Sequence, residues 1–153
     1  MTEAVNDKRS DSTAGDILQR LRKFLLVLAI ALFAGALVEL WLVGHTEDPI
    51  QLIPFVLAVV AIAVSLLVLF WRSTGTIQVM RVWMAVVVLG TLLGVYLHVE
   101  GNVAFEREVD PMAPTSRLFW QGLGGGNPLL APGILAIAAL LAVAATYRDK
   151  SAD

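Results

Sequence analysis

The stretch FLLVLAIALFAGALVELWLV, residues 24–43, runs for twenty positions with Glu39 as its single ionisable residue. A helix needs about 20 apolar residues to cross a bilayer core about 30 Å thick. Three further blocks of this character follow, at residues 50–71, 82–99 and 129–147. Barrel strands alternate apolar and polar residues, whereas these blocks are apolar on every face. The sequence therefore predicts an all-α integral membrane protein with four transmembrane helices.

The composition of the whole chain agrees with this class. Of its 153 residues, 58% are hydrophobic and only 16% are charged, where a soluble protein carries about 25% charged residues. The chain has no cysteine, which excludes a disulfide framework and cysteine-ligated metals. A net charge of −2 gives no indication of nucleic-acid binding. The partner that the composition predicts is the lipid bilayer.

The basic residues predict the orientation, because cytoplasmic segments carry an excess of Lys and Arg. Nine of the eleven basic residues fall on one side of the four spans. They are Lys8, Arg9, Arg20, Arg22, Lys23, Arg72, Arg81, Arg148 and Lys150. The other side has only Arg107 and Arg117. Both termini are therefore predicted to be cytoplasmic, in a bacterial-type plasma (inner) membrane.

The segments outside the spans are short, with one exception. Residues 1–15 are predicted to be a disordered cytoplasmic terminus, with a helix starting near Gly15 at a capping pattern, and residues 148–153 a cytoplasmic tail. The four-helix transmembrane domain covers residues 16–147. Span three is predicted to unwind at Gly101. The long outer loop that follows, residues 100–128, is predicted to contain a short interfacial helix over about 116–123. The alternative interpretation of the first span is a cleaved signal peptide. It is disfavoured because the apolar run continues beyond the small residues Ala34-Gly-Ala36, which resemble a cleavage site.

Two helical hairpins of the chain resemble each other. GALVELWL (35–42) and GTLLGVYL (90–97) share a glycine, two leucines and an aromatic residue in register, and each leads to a His-x-Glu. The helices that follow share five identities in ten positions: Leu52, Pro54, Leu57, Ala58 and Ala61 match Leu130, Pro132, Leu135, Ala136 and Ala139. This pattern predicts a duplicated hairpin with a pseudo-twofold axis along the membrane normal. Chance similarity between apolar helices is the alternative.

The polar residues that could bind a metal lie on the predicted outer side of the protein. Both histidines lie there, and the predicted site consists of His45, His98, Glu47, Asp48 and Glu100. Imidazole with carboxylate suits a divalent transition metal such as zinc, copper, nickel or iron. Bis-histidine haem ligation is a narrower version of this hypothesis. The alternative is that polar residues at helix ends face water and lipid headgroups.

Glu39 is the ionisable residue that lies well inside a span. Such residues are costly and usually face the bundle interior or water, which makes Glu39 a candidate for carrying protons or contacting a substrate. Three function classes follow. The first is an accessory or structural subunit with a ligand-binding outer face, working as a homo-oligomer or in a larger membrane complex. The second is a metal- or haem-binding protein, and the third a small transporter that uses Glu39. No nucleophile–base pattern favours an enzyme.

Overall fold

A computed structural model describes residues 2–126 and 130–147, with side chains placed over 13–126 and 132–147. Every regular element in these two ranges is helical, and they contain no strand. The helices are α1 (Thr2–Leu42), a short 3-10 helix (Pro49–Leu52), α2 (Ile53–Phe70), α3 (Thr74–Val109), α4 (Thr115–Leu123) and α5 (Leu130–Ala144). The predicted tail at residues 148–153 and the start of the block at 129–147 lie outside the described residues.

Three helical segments are long and apolar enough to cross a membrane: Thr13–Leu42, Pro49–Phe70 and Thr74–Val109. They coincide with the first three apolar blocks of the sequence. A fourth apolar helix, Pro132–Ala144, is shorter. Many large apolar side chains on the outer surface of the bundle are exposed, such as Val82, Leu89 and Leu92. An outer surface of this kind suits a hydrocarbon environment and would be unfavourable in water.

The four apolar helices pack as a bundle with a defined order. Helix α1 packs against α2 and α5, α3 packs against the same two helices, and α2 and α5 touch across the centre. One continuous core runs through the bundle, in which Phe33, Leu26 and Met80 are fully buried. Small residues such as Ala61 and Ala139 let the helix backbones approach closely. Helices α1 and α3 therefore occupy opposite corners.

Two glycines of α3 allow two different helices to pack closely against it. A Cβ at Gly90 would collide with the Leu57 side chain of α2, and a Cβ at Gly94 would lie 3.3 Å from Pro132 Cβ of α5. These glycines are the ends of the GTLLG motif, whose spacing places both on the same side of the helix. The close approach of α2 and α5 to α3 thus depends on the absence of a side chain at both positions.

Three arginines hold the end of α5 that lies far from these glycines. Arg22 of α1 donates to the Tyr147 carbonyl at 2.8 Å, and Arg72 donates to the Ala145 carbonyl at 3.0 Å. Arg81 of α3 donates to both the hydroxyl and the carbonyl oxygen of Thr146. The last carbonyls of a helix lack intrahelical partners and carry partial negative charge, so cations stabilise them. We call this part of the bundle the arginine end.

Helix α3 is longer than the predicted span. It continues through Gly101 and Asn102 to Val109, so residues 100–109 are helical and the predicted unwinding at Gly101 is wrong. Asn102 is 3% exposed, and its side-chain amide donates to the Gly122 carbonyl of α4 at 2.9 Å. Helix α4 packs on this extension, since a Cβ at Gly122 would lie 2.6 Å from Val103 Cγ2. Tertiary packing thus outweighs the weak helix propensity of Gly and Asn.

Helix α1 also begins earlier than the capping pattern predicts. Its first residue is Thr2 rather than a position near Gly15, which lies inside the helix. The sequence between Thr2 and Ala14 contains neither proline nor glycine, so nothing in it interrupts a helix. Helix α4, in turn, occupies the residues where a short interfacial helix is predicted.

Candidate functional site

An open cavity of about 480 Å³ lies between the helices where α1 ends and α5 begins. All four helices of the bundle line it, together with the segment that connects α1 to α2. Five of its eighteen lining residues are polar, namely Glu39, His45, Gln51, Thr91 and His98, and the others are apolar side chains, prolines and glycines. Ligand sites in proteins are commonly apolar cavities of this size with a few convergent polar groups.

The end of α1 directs His45 back toward the cavity. Gly44 adopts the left-handed conformation with φ of 68°. The His45 amide donates to the Leu40 carbonyl at 3.0 Å and the Gly44 amide to the Trp41 carbonyl at 3.2 Å. These two bonds form a Schellman motif, which ends the helix and reverses the chain. Leu40 and His45 consequently line the same cavity.

His45 and His98 meet across the cavity mouth. Their ring centroids are 6.4 Å apart, with the ring planes inclined at 44°. Burial lowers the pKa of His45 below its ordinary value of 6.5, and the charge of His98 lowers it further. Two cationic imidazoles at this distance would repel each other, and burial disfavours the charged form. His45 is therefore neutral at pH 7 and can accept or donate a hydrogen bond.

Glu39 places a carboxylate on the wall of this cavity. In the part of the chain that the structure describes, no hydrogen bond or ion pair joins this carboxylate to another residue. The side chain is exposed in the open cavity. Gly94 of α3 lines the same cavity. A carboxylate so placed can receive a cation or a proton.

Thr91 adds a buried hydroxyl to the lining. The residue is 5% exposed, and its Oγ1 atom has no hydrogen-bond partner among the described residues. An unpaired buried hydroxyl costs about 1–3 kcal/mol, so such groups usually have a partner. A ligand or water in the cavity would supply one.

The segment between α1 and α2 is held by Gln51, which the sequence analysis did not single out. Its side-chain oxygen accepts from the Glu47 amide at 2.9 Å and from the Asp48 amide at 3.4 Å. This is a capping box that starts the 3-10 helix. The spacing of Asp48 and Gln51 is its sequence signature. The Gln51 side chain thus shapes the cavity wall by ordering the loop beside it.

The structure brings together only part of the predicted metal site. His45 and His98 line the cavity, whereas Glu47, Asp48 and Glu100 are exposed and are not among its lining residues. Within residues 2–126 and 130–147, no group of three or more His, Asp or Glu side chains is placed to hold a metal ion. Metal binding by the five-residue set stays a prediction.

Comparisons with known proteins identify no relative of this chain. No family model, no characterised protein and no solved structure matches the chain. The chemistry available at the cavity is therefore that of its own side chains: one carboxylate, two imidazoles, an amide and a hydroxyl, set in an apolar wall. Such a set can bind a small molecule through charge and hydrogen bonds.

Proposed function

We propose that this chain is a small multi-pass membrane protein that binds a small molecule in the cavity between its helices, as an accessory subunit of a homo-oligomer or larger membrane complex. The observation that carries the proposal is the convergence of Glu39, His45 and His98 on one cavity of about 480 Å³. They come from α1, the segment after it and α3, so folding alone assembles the set. Polar groups in an apolar environment are costly unless they serve a ligand or a partner.

The proposed topology has four spans, with α5 as the fourth and both termini in the cytoplasm of a bacterial-type cell. Charge supports this orientation, because the arginine end would face the cytoplasm and the cavity would open outward. Helix α5 has fifteen residues, a length of about 22 Å at 1.5 Å per residue. Local thinning of the bilayer or snorkelling of flanking residues accommodates a helix of this length.

A duplicated hairpin is part of this proposal. If α1 and α2 correspond to α3 and α5, a twofold relation pairs the α1–α2 contact with α3–α5 and the α2–α3 contact with α5–α1. All four contacts exist, and α1 and α3 stand at opposite corners. The aligned prolines, Pro54 and Pro132, both line the cavity, as do the aligned leucines Leu57 and Leu135. These features support a cavity near the pseudo-axis.

The test compares two tryptophan variants of α3. Leu97 lines the cavity, whereas Leu92 is 61% exposed on the outer surface. Native mass spectrometry of the full chain in mild detergent should detect a retained small molecule, which Leu97→Trp loses and Leu92→Trp keeps. A chain without any retained molecule, or equal retention in both variants, would contradict the proposal.

A second candidate function is the binding of a divalent transition metal or haem. The 6.4 Å separation of the His45 and His98 rings favours it, since two imidazoles so close can approach one ion. Elemental analysis of the protein purified without chelator should find about one equivalent of metal, lost in His45→Ala and His98→Ala, if this function is correct. Iron accompanied by the visible absorption spectrum of a haem would indicate haem ligation. No metal above background after incubation with each ion would exclude it.

A third candidate is transport of the bound molecule or of protons through Glu39. The position of Glu39 on the cavity wall favours it, because a carboxylate there can exchange a proton for a ligand. Glu39→Gln should then abolish flux in liposomes and leave the thermal unfolding midpoint close to that of the unsubstituted chain. Flux unaffected by this change would exclude the transport role.

A further inference from the structure

Carboxylates, and no Lys or Arg, are found among the residues that line this cavity or lie next to them in the sequence segments concerned. Among the described residues that line the cavity, Glu39 is the one carboxylate, and none of them is a Lys or Arg. The carboxylates of Glu47, Asp48 and Glu100 lie within a few residues of the lining residues Gln51 and His98. Clefts with low-dielectric walls focus a potential of one sign and concentrate the opposite ion. These carboxylates therefore favour a negative potential at the cavity.

Four arginines of the described chain have partners away from the cavity. Arg22, Arg72 and Arg81 bind the carbonyls at the arginine end, and Arg117 pairs with Asp110 beyond the cavity. No ion pair involves Glu39 within the described ranges. The Glu39 carboxylate therefore lacks a counter-ion among the described residues.

Thr91 provides a second and independent indication of a ligand. Thr91 lines the cavity, and its buried Oγ1 atom has no partner among the described residues. The Thr91 hydroxyl is able to accept a hydrogen bond from an ammonium group, and the apolar side chains that line the cavity can contact an apolar body.

We propose that the ligand of this cavity is an amphipathic organic cation, a molecule with one amine or onium charge on an apolar body, and that Glu39 is its counter-ion. The inference rests on the proposed function, because it names the ligand class of the same cavity. An uncharged ligand would leave the carboxylate without a partner, and an anion would be repelled by it. A bare metal ion would need more ligating groups than the cavity brings together.

Two probes of one shape and opposite charge test the ligand class. Tetraphenylphosphonium and tetraphenylborate are added to the full chain in phosphatidylcholine nanodiscs, and saturable binding above that of empty nanodiscs is measured by equilibrium dialysis at about 0.15 M salt, where distant surface charges are screened. We expect saturable binding of tetraphenylphosphonium alone. Glu39→Gln should weaken it at least about tenfold, because the cation loses the one carboxylate that lines the cavity.

Glu47→Gln is the matched control. Glu47 is exposed and outside the cavity lining, so its substitution should change the affinity less than about twofold. An equal effect of both substitutions would overturn the role of Glu39. Tetraphenylphosphonium binding that survives Glu39→Gln unchanged would do the same.

Other outcomes separate this inference from the proposed function. Equal binding of both probes, lost in Leu97→Trp, would show a cavity that selects shape rather than charge and would overturn the cation inference alone. Absence of saturable binding of both probes, with a native small molecule still retained and lost in Leu97→Trp, would also overturn the ligand class alone. Absence of both probe binding and retained molecule would overturn the two proposals together.

Discussion

The imidazole rings of His45 and His98 lie 6.4 Å apart although His45 follows the end of α1 and His98 lies inside α3. Helices α1 and α3 occupy opposite corners of the bundle, so their own surfaces do not create this proximity. The reversal of the chain at Gly44 carries His45 across the cavity mouth. The relationship between the two rings therefore depends on one backbone conformation as well as on helix packing.

The lowered pKa of His45 predicts a loss of stability in acid. Folding holds this pKa below its ordinary value of 6.5, so the unfolded chain takes up a proton more readily than the folded chain. The contribution of His45 to stability should be fully present well above pH 6.5 and should be lost as the pH falls through 6.5 toward the lowered pKa. Thermal unfolding midpoints between pH 7.5 and pH 5 provide the measurement.

His45→Asn is the control for this pH dependence, because it keeps a polar side chain that does not titrate. The groups that face His45, namely His98 across the cavity and the Glu39 carboxylate on its wall, are the same in both proteins. The midpoint of the variant should therefore fall less steeply than that of the unsubstituted chain over the same range. Parallel curves would show that the burial of His45 has no effect on folding.

Gly44→Val should destabilise the protein by about 1–2 kcal/mol or more, since a β-branched residue strongly disfavours a positive φ. No side chain surrounds Gly44 closely, so crowding does not add to the cost. Gly15→Ala is the contrasting change, because Gly15 lies inside α1 with open space around it and alanine favours a helix. Chemical unfolding of both variants measures the difference, and an equal effect would contradict the role of the Gly44 conformation.

Arg81→Gln should destabilise the arginine end. The guanidinium bonds both the hydroxyl and the carbonyl of Thr146, and hydrogen bonds to charged groups contribute about 1.5–3 kcal/mol each before solvent exposure reduces them. Arg20→Gln serves as the control, because Arg20 is exposed on α1. Amide hydrogen exchange over residues 141–147 should accelerate in Arg81→Gln alone. Unchanged exchange there would mean that the α5 terminus does not depend on Arg81.

The proposed orientation can be tested directly because the chain has no cysteine. Thr46→Cys places a thiol in the segment between α1 and α2, and Gly75→Cys places one at the start of α3, where its side chain meets open space. A membrane-impermeant maleimide added to intact cells should label Thr46→Cys at once. Gly75→Cys should react only after the membrane is permeabilised. The reverse pattern would invert the topology.

The helices could be predicted from the sequence because the transfer of an apolar residue into hydrocarbon is favourable whatever its neighbours are. Runs of such residues predict membrane-spanning helices on their own, and the structure contains three of the required length together with a shorter one. Helix ends were less predictable. Gly101 and Asn102 suggested a break within α3, but the contact between Asn102 and Gly122 stabilises the continuous helix. That contact joins residues far apart in the sequence.

The candidate site shows the same division between local and tertiary information. The groups that could take part are visible in the sequence, since Glu39, His45 and His98 are rare polar residues in or beside apolar blocks. Their meeting in one cavity with Thr91 and Gln51, while Glu47, Asp48 and Glu100 stay outside it, follows from the packing of the helices. Hydropathy is a property of each residue, whereas a cavity exists only where the faces of several helices meet.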